Sequence, residues 1–90
     1  MDFEIELERD KETNLYIQLY KKLKEKILTE VIKEHDKLPA IRELATEVEV
    51  NPATVVKAYD LLERDELIYK KVGSGSYVAP IKSNRDDNTL

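Results

Sequence analysis

The segment VNPATVVKAYDLLERD, residues 50–65, carries the strongest local structural signal in the chain. Asn51 is a preferred helix N-cap, and Pro52 stands at the first helical position, where its missing N–H costs no hydrogen bond. Apolar residues at three- and four-residue steps predict another short helix over 41–48, which ends only about three residues earlier. Two helices joined so closely form a helix-turn-helix, a motif that often places its second helix in the DNA major groove.

The predicted helix after Asn51 has two chemically different faces at 3.6 residues per turn. One face is expected to pack inward and consists of Val55, Ala58, Tyr59 and Leu62. The opposite face is expected to be exposed and consists of Ala53, Val56, Lys57, Asp60 and Arg64. An outward valine is suited to contact a thymine methyl group. A single exposed valine with no such role fits the pattern equally well.

The rest of the pattern predicts a topology of strand, helix, short strand, two helices and a two-stranded wing. Phe3–Leu7 alternates apolar and acidic residues, which is typical of a half-buried strand. A helix follows from Leu15, with Thr13 or Asn14 available as its cap. Lys37–Pro39 is predicted to be extended, because a residue that precedes proline avoids helical geometry.

Both glycines of the chain lie in one place, as Gly73 and Gly75 on either side of Ser74. The runs LIYKKV and SYV beside them predict two strands, and Lys70 and Lys71 stand at the end of the first. Glycine permits positive φ and lets the backbone approach another molecule closely. The predicted fold class is therefore mainly α with a small β-hairpin, a winged helix-turn-helix of three helices plus a wing.

The net charge of −4 is unevenly distributed along the chain. Residues 1–14 contain six acidic and two basic residues, whereas 15–82 contain twelve basic and eleven acidic residues. Binding to a polyanion depends on which face carries the positive charge more than on the total. The acidic composition is therefore compatible with a nucleic-acid partner.

Several classes of function are disfavoured by composition. There is no cysteine, so disulfides and thiolate metal sites are excluded. No apolar run approaches the ~20 residues of a membrane span, and the acidic start is unlike a targeting peptide, so a cytoplasmic protein without a membrane partner is predicted. His35 is alone, and alternating Glu4, Glu6 and Glu8 are typical of a charged strand face. No metal, cofactor or catalytic constellation is predicted, and hence no enzyme.

Four motifs occur in a distinctive order: YIQLYKKLKEKIL, KLPAIRELA, VNPATVVKAYDLLERDELI and VGSGSYVAP. Together they resemble the DNA-binding domain of GntR-type bacterial transcription regulators. The resemblance covers about Leu15 to Pro80, so a domain at 15–80 is expected between an acidic arm or strand at 1–14 and a linker or tail at 81–90. It implies a repressor-type regulator whose domain binds a double-stranded, usually palindromic operator as a homodimer.

The resemblance also implies the site residues. Arg42 matches the family arginine at the start of the second helix, which contacts DNA backbone and base edges. The recognition helix, 52–65 with its cap, carries the expected contacts Asn51, Ala53, Thr54, Val56 and Lys57. The wing, 70–78, carries Lys70, Lys71, Gly73, Ser74 and Gly75. Polar groups at a helix N-terminus suit phosphate, and a lysine suits phosphate or a guanine edge.

Several positions depart from the family pattern. Where the family commonly has glycine, this chain has Glu30, His35, Glu49 and Glu66. A side chain in a left-handed turn costs about 1–2 kcal/mol, which favours either reshaped turns or a longer first helix. Ala40 stands where a capping serine is common, and Val72 stands where an arginine often precedes the wing glycine. The latter change argues against direct readout by the wing.

A winged helix that serves as a protein-interaction module is the alternative function, and the acidic total charge makes it possible. Lys57, Arg42 and the Lys70–Lys71 pair favour DNA binding instead. Regulators of the family add a C-terminal part that senses a ligand and often dimerises. VGSGSYVAP resembles the MocR-like subgroup, whose C-terminal domain is aminotransferase-like and binds pyridoxal phosphate. NPATVVKAY equally suits the short YtrA-like subgroup, which ends in dimerising helices.

Overall fold

The computed structural model describes residues 5–9 and 14–80. The elements in chain order are α1 (Leu15–Leu28), α2 (Ile41–Val48), α3 (Pro52–Arg64), β1 (Ile68–Lys71) and β2 (Gly75–Val78). The predicted fold class is confirmed: three helices are followed by a two-stranded antiparallel hairpin. The three helices are too short and too polar to cross a membrane.

The starts of the three helices differ in how they are capped. The Asn51 side chain accepts a hydrogen bond from the Ala53 N–H at 2.9 Å, as predicted for α3. Ala40 begins α2 without a side-chain acceptor, and the Glu43 carboxylate accepts from the Ala40 N–H at 3.2 Å. Asn14 begins α1, but its side chain makes no cap hydrogen bond. The α3 start is therefore the best satisfied of the three.

All three helices end in the same way, with a glutamate in the left-handed region. Glu30, Glu49 and Glu66 have φ of 62°, 60° and 63°. In each case the next residue donates its N–H to a carbonyl five residues back, at 2.9 Å, 3.0 Å and 2.9 Å for α1, α2 and α3. This pattern is the Schellman motif, in which glycine usually holds the left-handed position. His35 is also left-handed, with φ of 68°. The expectation of reshaped turns or a longer first helix is therefore wrong.

One apolar core joins the helices to the hairpin. The α3 face that was predicted to pack inward is buried as expected, and Val55, Ala58 and Leu62 are fully inaccessible to solvent. The helices α1 and α2 contribute Leu19, Leu23, Ile27, Leu44, Ala45 and Val48 to the same core. The hairpin contributes Ile68 and Val78, which pair with each other in the antiparallel register. This packing fixes the wing against the end of α3.

Two predicted strands are corrected by the structure. The described part of the N-terminal segment, 5–8, is not a strand, and Phe3 and Glu4 lie outside the described residues. Ile5 and Leu7 do pack against the core, but Glu8 exchanges hydrogen bonds with the Gln18 side chain, at 2.7 Å and 3.0 Å, instead of with a neighbouring strand. The predicted extended piece at 37–39 forms a single β-bridge, from Lys37 to Tyr77.

Candidate nucleic-acid interface

The start of α3 presents two polar side chains. Asn51 is exposed, and its Oδ1 is occupied by the cap to Ala53, so the Nδ2 amide is the group it offers to an outside acceptor. Thr54 is half-buried and donates its backbone N–H to the Asn51 carbonyl at 2.8 Å. The cap thus orients one side-chain donor at the positive end of the helix dipole.

The outward face of α3 carries Val56 and Lys57, both exposed as predicted. The Lys57 Nζ lies 5.3 Å from the centre of the Tyr16 ring, near the start of α1. A cation at this distance over an aromatic face is attracted to the ring. The contact gives the ammonium group a preferred position beside α1. The sequence carries no local signal for this pairing, because the two residues belong to different helices.

The wing is a tight hairpin with an aromatic face. Gly73 and Gly75 both have positive φ, 79° and 135°. Tyr69 and Tyr77 pair across the strands, and their rings stack with centroids 5.7 Å apart. The Lys71 Nζ lies 5.1 Å from the Tyr77 ring centre. The stacked rings therefore give Lys71, one of the two wing lysines, a cation–π contact. Neither tyrosine is among the predicted site residues.

The other wing lysine faces α3. The Lys70 Nζ lies 4.0 Å from a Glu63 carboxylate oxygen, and both side chains are substantially exposed. An exposed ion pair of this kind contributes little to stability. Lys70 is therefore available to exchange this carboxylate for another anion.

The segment that enters α2 is anchored by a buried tyrosine. Tyr59 donates its hydroxyl hydrogen bond to the Pro39 carbonyl at 2.7 Å. Burial raises the pKa of the Tyr59 phenol, and the neighbouring Glu43 carboxylate raises it further. The phenol stays protonated and keeps its hydrogen bond across the neutral range. This contact holds the loop before α2 beside α3.

The predicted site residues of the wing and those of α3 form two separate groups. The wing residues lie together in a groove between the hairpin and the entry to α2. Among the described residues, those that line this groove come from the wing, from 37–41, from Glu43 and from Tyr59, whereas Lys57 contacts α1. Arg42 is exposed on the first turn of α2. Residues 5–9 and 14–80 contain no cluster of three or more His, Asp or Glu side chains placed to hold a metal ion.

A helix-turn-helix whose second helix leads directly into a two-stranded hairpin defines a winged helix-turn-helix fold. Residues 15–78 match the family described as bacterial regulatory proteins, gntR family. The chain therefore belongs to the GntR family, as its motifs indicated.

Curated relatives and solved structures agree with this assignment. The HTH-type transcriptional repressor YtrA of Bacillus subtilis is 41% identical over 75 residues, which cover 83% of this chain and 58% of YtrA. A GntR family transcriptional regulator from Listeria monocytogenes has a TM-score of 0.78 at 37% identity, over 87% of this chain and 68% of that one. AraR(DBD) in complex with operator ORX1 has a TM-score of 0.68 at 30% identity, over 71% of this chain and 77% of that one.

Proposed function

We propose that this domain binds duplex operator DNA and thereby regulates transcription, with α3 in the major groove and the wing beside the DNA backbone. The observation that carries the proposal is the structural similarity to AraR(DBD) in complex with operator ORX1, at a TM-score of 0.68. The buried face of α3 packs on the core, so the face with Val56 and Lys57 is the one left for DNA.

Each site residue has a role that fits its position. The Asn51 amide and the Thr54 hydroxyl lie at the helix start, where DNA phosphates are favoured. Ala53 and Val56 offer apolar contact to thymine methyl groups, and Lys57 offers charge to a phosphate or a guanine edge. Arg42 is assigned to the DNA backbone beside the recognition helix. The wing contacts are Lys70, Lys71, Gly73, Ser74 and Gly75.

The domain is further proposed to act as a homodimer on a palindromic operator in the bacterial cytoplasm. The chain spans 58% of the length of YtrA, and the surfaces for dimerisation and effector binding are assigned to regions outside 15–80. A short pair of helices and an aminotransferase-like domain are the two alternatives for such a region. The gene sequence beyond codon 90 separates them, and sedimentation of the DNA complex gives the stoichiometry.

The test uses a duplex selected from a randomised pool by the 90-residue chain and a second duplex of scrambled sequence. Lys57→Met should weaken binding to the selected duplex about eightfold at about 0.1 M salt, the effect of losing one phosphate contact. If Lys57 reads a base, the loss should be larger on the selected than on the scrambled duplex.

Lys24→Met is the matched control, because the Lys24 Nζ also lies over a tyrosine ring of α1, 5.6 Å from the centre of Tyr20. It removes the same charge and a similar contact but leaves α3 unchanged, and it should alter affinity less than twofold. Equal affinity of both variants and the parent would refute the proposed groove-facing side. Parent binding that does not change with salt would refute DNA binding and favour the protein-interaction module.

A further inference from the structure

The groove between the wing and the entry to α2 is a charged surface separate from the DNA contacts proposed for the recognition helix. It has a volume of about 830 Å³ and is lined by Lys37, Lys70 and Lys71 together with the glycine turn. Within residues 5–9 and 14–80, Glu43 is the one acidic residue that lines it, and the Glu43 carboxylate already accepts the Ala40 N–H. The groove therefore carries an excess of positive charge in a chain whose net charge is −4.

Lys37 enters this groove because its backbone runs alongside the wing. It forms a β-bridge with Tyr77, and the next residue, Leu38, donates its N–H to the Ser76 carbonyl at 2.8 Å. These bonds hold the Lys37 backbone beside β2, as a short third extended segment next to the hairpin. The position of the lysine is therefore set by the fold and not by a flexible loop.

Gly75 makes room for the Lys37 side chain. A Cβ atom at Gly75 would lie 3.1 Å from the Lys37 Cε, closer than ordinary van der Waals contact. At Gly73 a Cβ would meet nothing within 4 Å. The two glycines thus differ. Gly73 serves the turn alone, whereas Gly75 also lacks the Cβ atom that would crowd the aliphatic part of the Lys37 side chain.

We infer that this groove holds a backbone phosphate of duplex DNA and that Lys37 is a DNA contact outside both the recognition helix and the wing tip. The inference rests on the proposed DNA-binding function. Three lysines on two separate segments line the groove, and each has a weak or easily exchanged partner: a tyrosine ring for Lys71, an exposed carboxylate for Lys70 and the glycine surface for Lys37. Such an arrangement suits a polyanion, because phosphate neutralises the charges without displacing a buried partner.

The experiment measures fluorescence anisotropy of a labelled, mixed-sequence DNA duplex with the 90-residue chain at several salt concentrations. Phosphate contacts do not depend on sequence, so no operator is needed. Lys37→Met keeps most of the aliphatic stem and removes the charge. It should lower the magnitude of the log–log salt slope by about 0.9 and weaken binding about eightfold at about 0.1 M salt. Lys37→Arg should retain the parent slope.

Lys33→Met is the control, because Lys33 is exposed in the same loop, outside the groove lining, and the hydrogen bond it makes to Asp36 uses its backbone N–H. It should leave the slope unchanged. Thermal unfolding of each variant confirms that the fold is intact. Should Lys37→Met and Lys33→Met share the parent slope, the groove assignment is overturned while DNA binding stands. Should the parent chain fail to bind any duplex, the DNA-binding function itself is refuted.

Discussion

Glu49 closes α2 with φ of 60° and ψ of 54°, a conformation that side chains rarely adopt. Replacement by glycine should stabilise the domain. The left-handed conformation costs a side-chain-bearing residue about 1–2 kcal/mol, and glycine gives back about 0.5–1 kcal/mol as extra chain entropy in the unfolded state. A carboxylate at a helix C-terminus is disfavoured by about 0.3 kcal/mol or more. The sum predicts that Glu49→Gly raises the free energy of unfolding by about 1 kcal/mol.

The same geometry at Glu30 and Glu66 extends the prediction to all three helix ends. Each change to glycine should raise the melting temperature by about 4–8 °C, the shift that 1 kcal/mol produces in a domain of this size. The triple variant should gain about 3 kcal/mol if the three sites are independent. Urea unfolding followed by far-ultraviolet circular dichroism gives the free energies, provided that the slope with urea is unchanged.

Two controls separate the causes. Glu49→Gln removes the charge but keeps the backbone strain, so it should recover only the smaller, electrostatic part. Glu34→Gly places glycine at an exposed loop position whose φ is not left-handed, and it should destabilise the domain by up to about 1 kcal/mol. A Glu49→Gly variant no more stable than the parent would refute the strain argument. A full gain from Glu49→Gln would assign the effect to charge instead.

Two further predictions concern the loop before α2. Tyr59→Phe loses the hydrogen bond to the Pro39 carbonyl and should cost about 1 kcal/mol at pH 7. The folded-state pKa of Tyr59 is raised above its unfolded-state pKa of about 10. The contribution of Tyr59 to the free energy of unfolding of the parent should therefore be fully present below that pH and decrease above it. The free energy of unfolding of Tyr59→Phe, measured by urea titration at each pH, should fall less steeply with pH across that range. Equal slopes with pH for the variant and the parent would contradict this assignment. Ala40→Ser should raise the free energy of unfolding by about 1 kcal/mol, because serine can cap α2. Ala53→Ser is the control and should give no such gain, because Asn51 already caps α3. Equal melting temperatures for Ala40→Ser and the parent would argue against the missing cap.

Local signals in the sequence predicted most of the helical architecture. The Asn51–Pro52 start, the inward face of α3 and the order of the three helices and the hairpin are confirmed, because caps and helical periodicity act over a few residues. The alternation after Phe3 failed as a strand prediction for residues 5–8. It correctly placed Ile5 and Leu7 toward the core, but alternation specifies a face and not a hydrogen-bonding partner.

The remaining features of the site depend on contacts between distant parts of the chain. Lys37 meets Gly75, and Lys57 meets Tyr16, only after the helices and the wing have packed together. The cost of a left-handed glutamate also misled local reasoning about Glu49. Its N–H and that of the following residue both reach the Ala45 carbonyl, and these bonds with the packing around them outweigh about 1–2 kcal/mol of strain.

One described point of the acidic arm is held at the end of α2 that lies away from the groove. Arg9 of the acidic arm donates to the Val48 carbonyl at the C-terminal end of α2, whereas Ala40 and Ile41 line the groove at the other end. Eight helical residues at 1.5 Å each separate the two ends by about 12 Å. The Debye length is about 10 Å at 0.1 M salt, so the point where the arm is anchored lies about one screening length from the groove. The lysines that line the groove therefore contribute more to its local potential than this anchor point does.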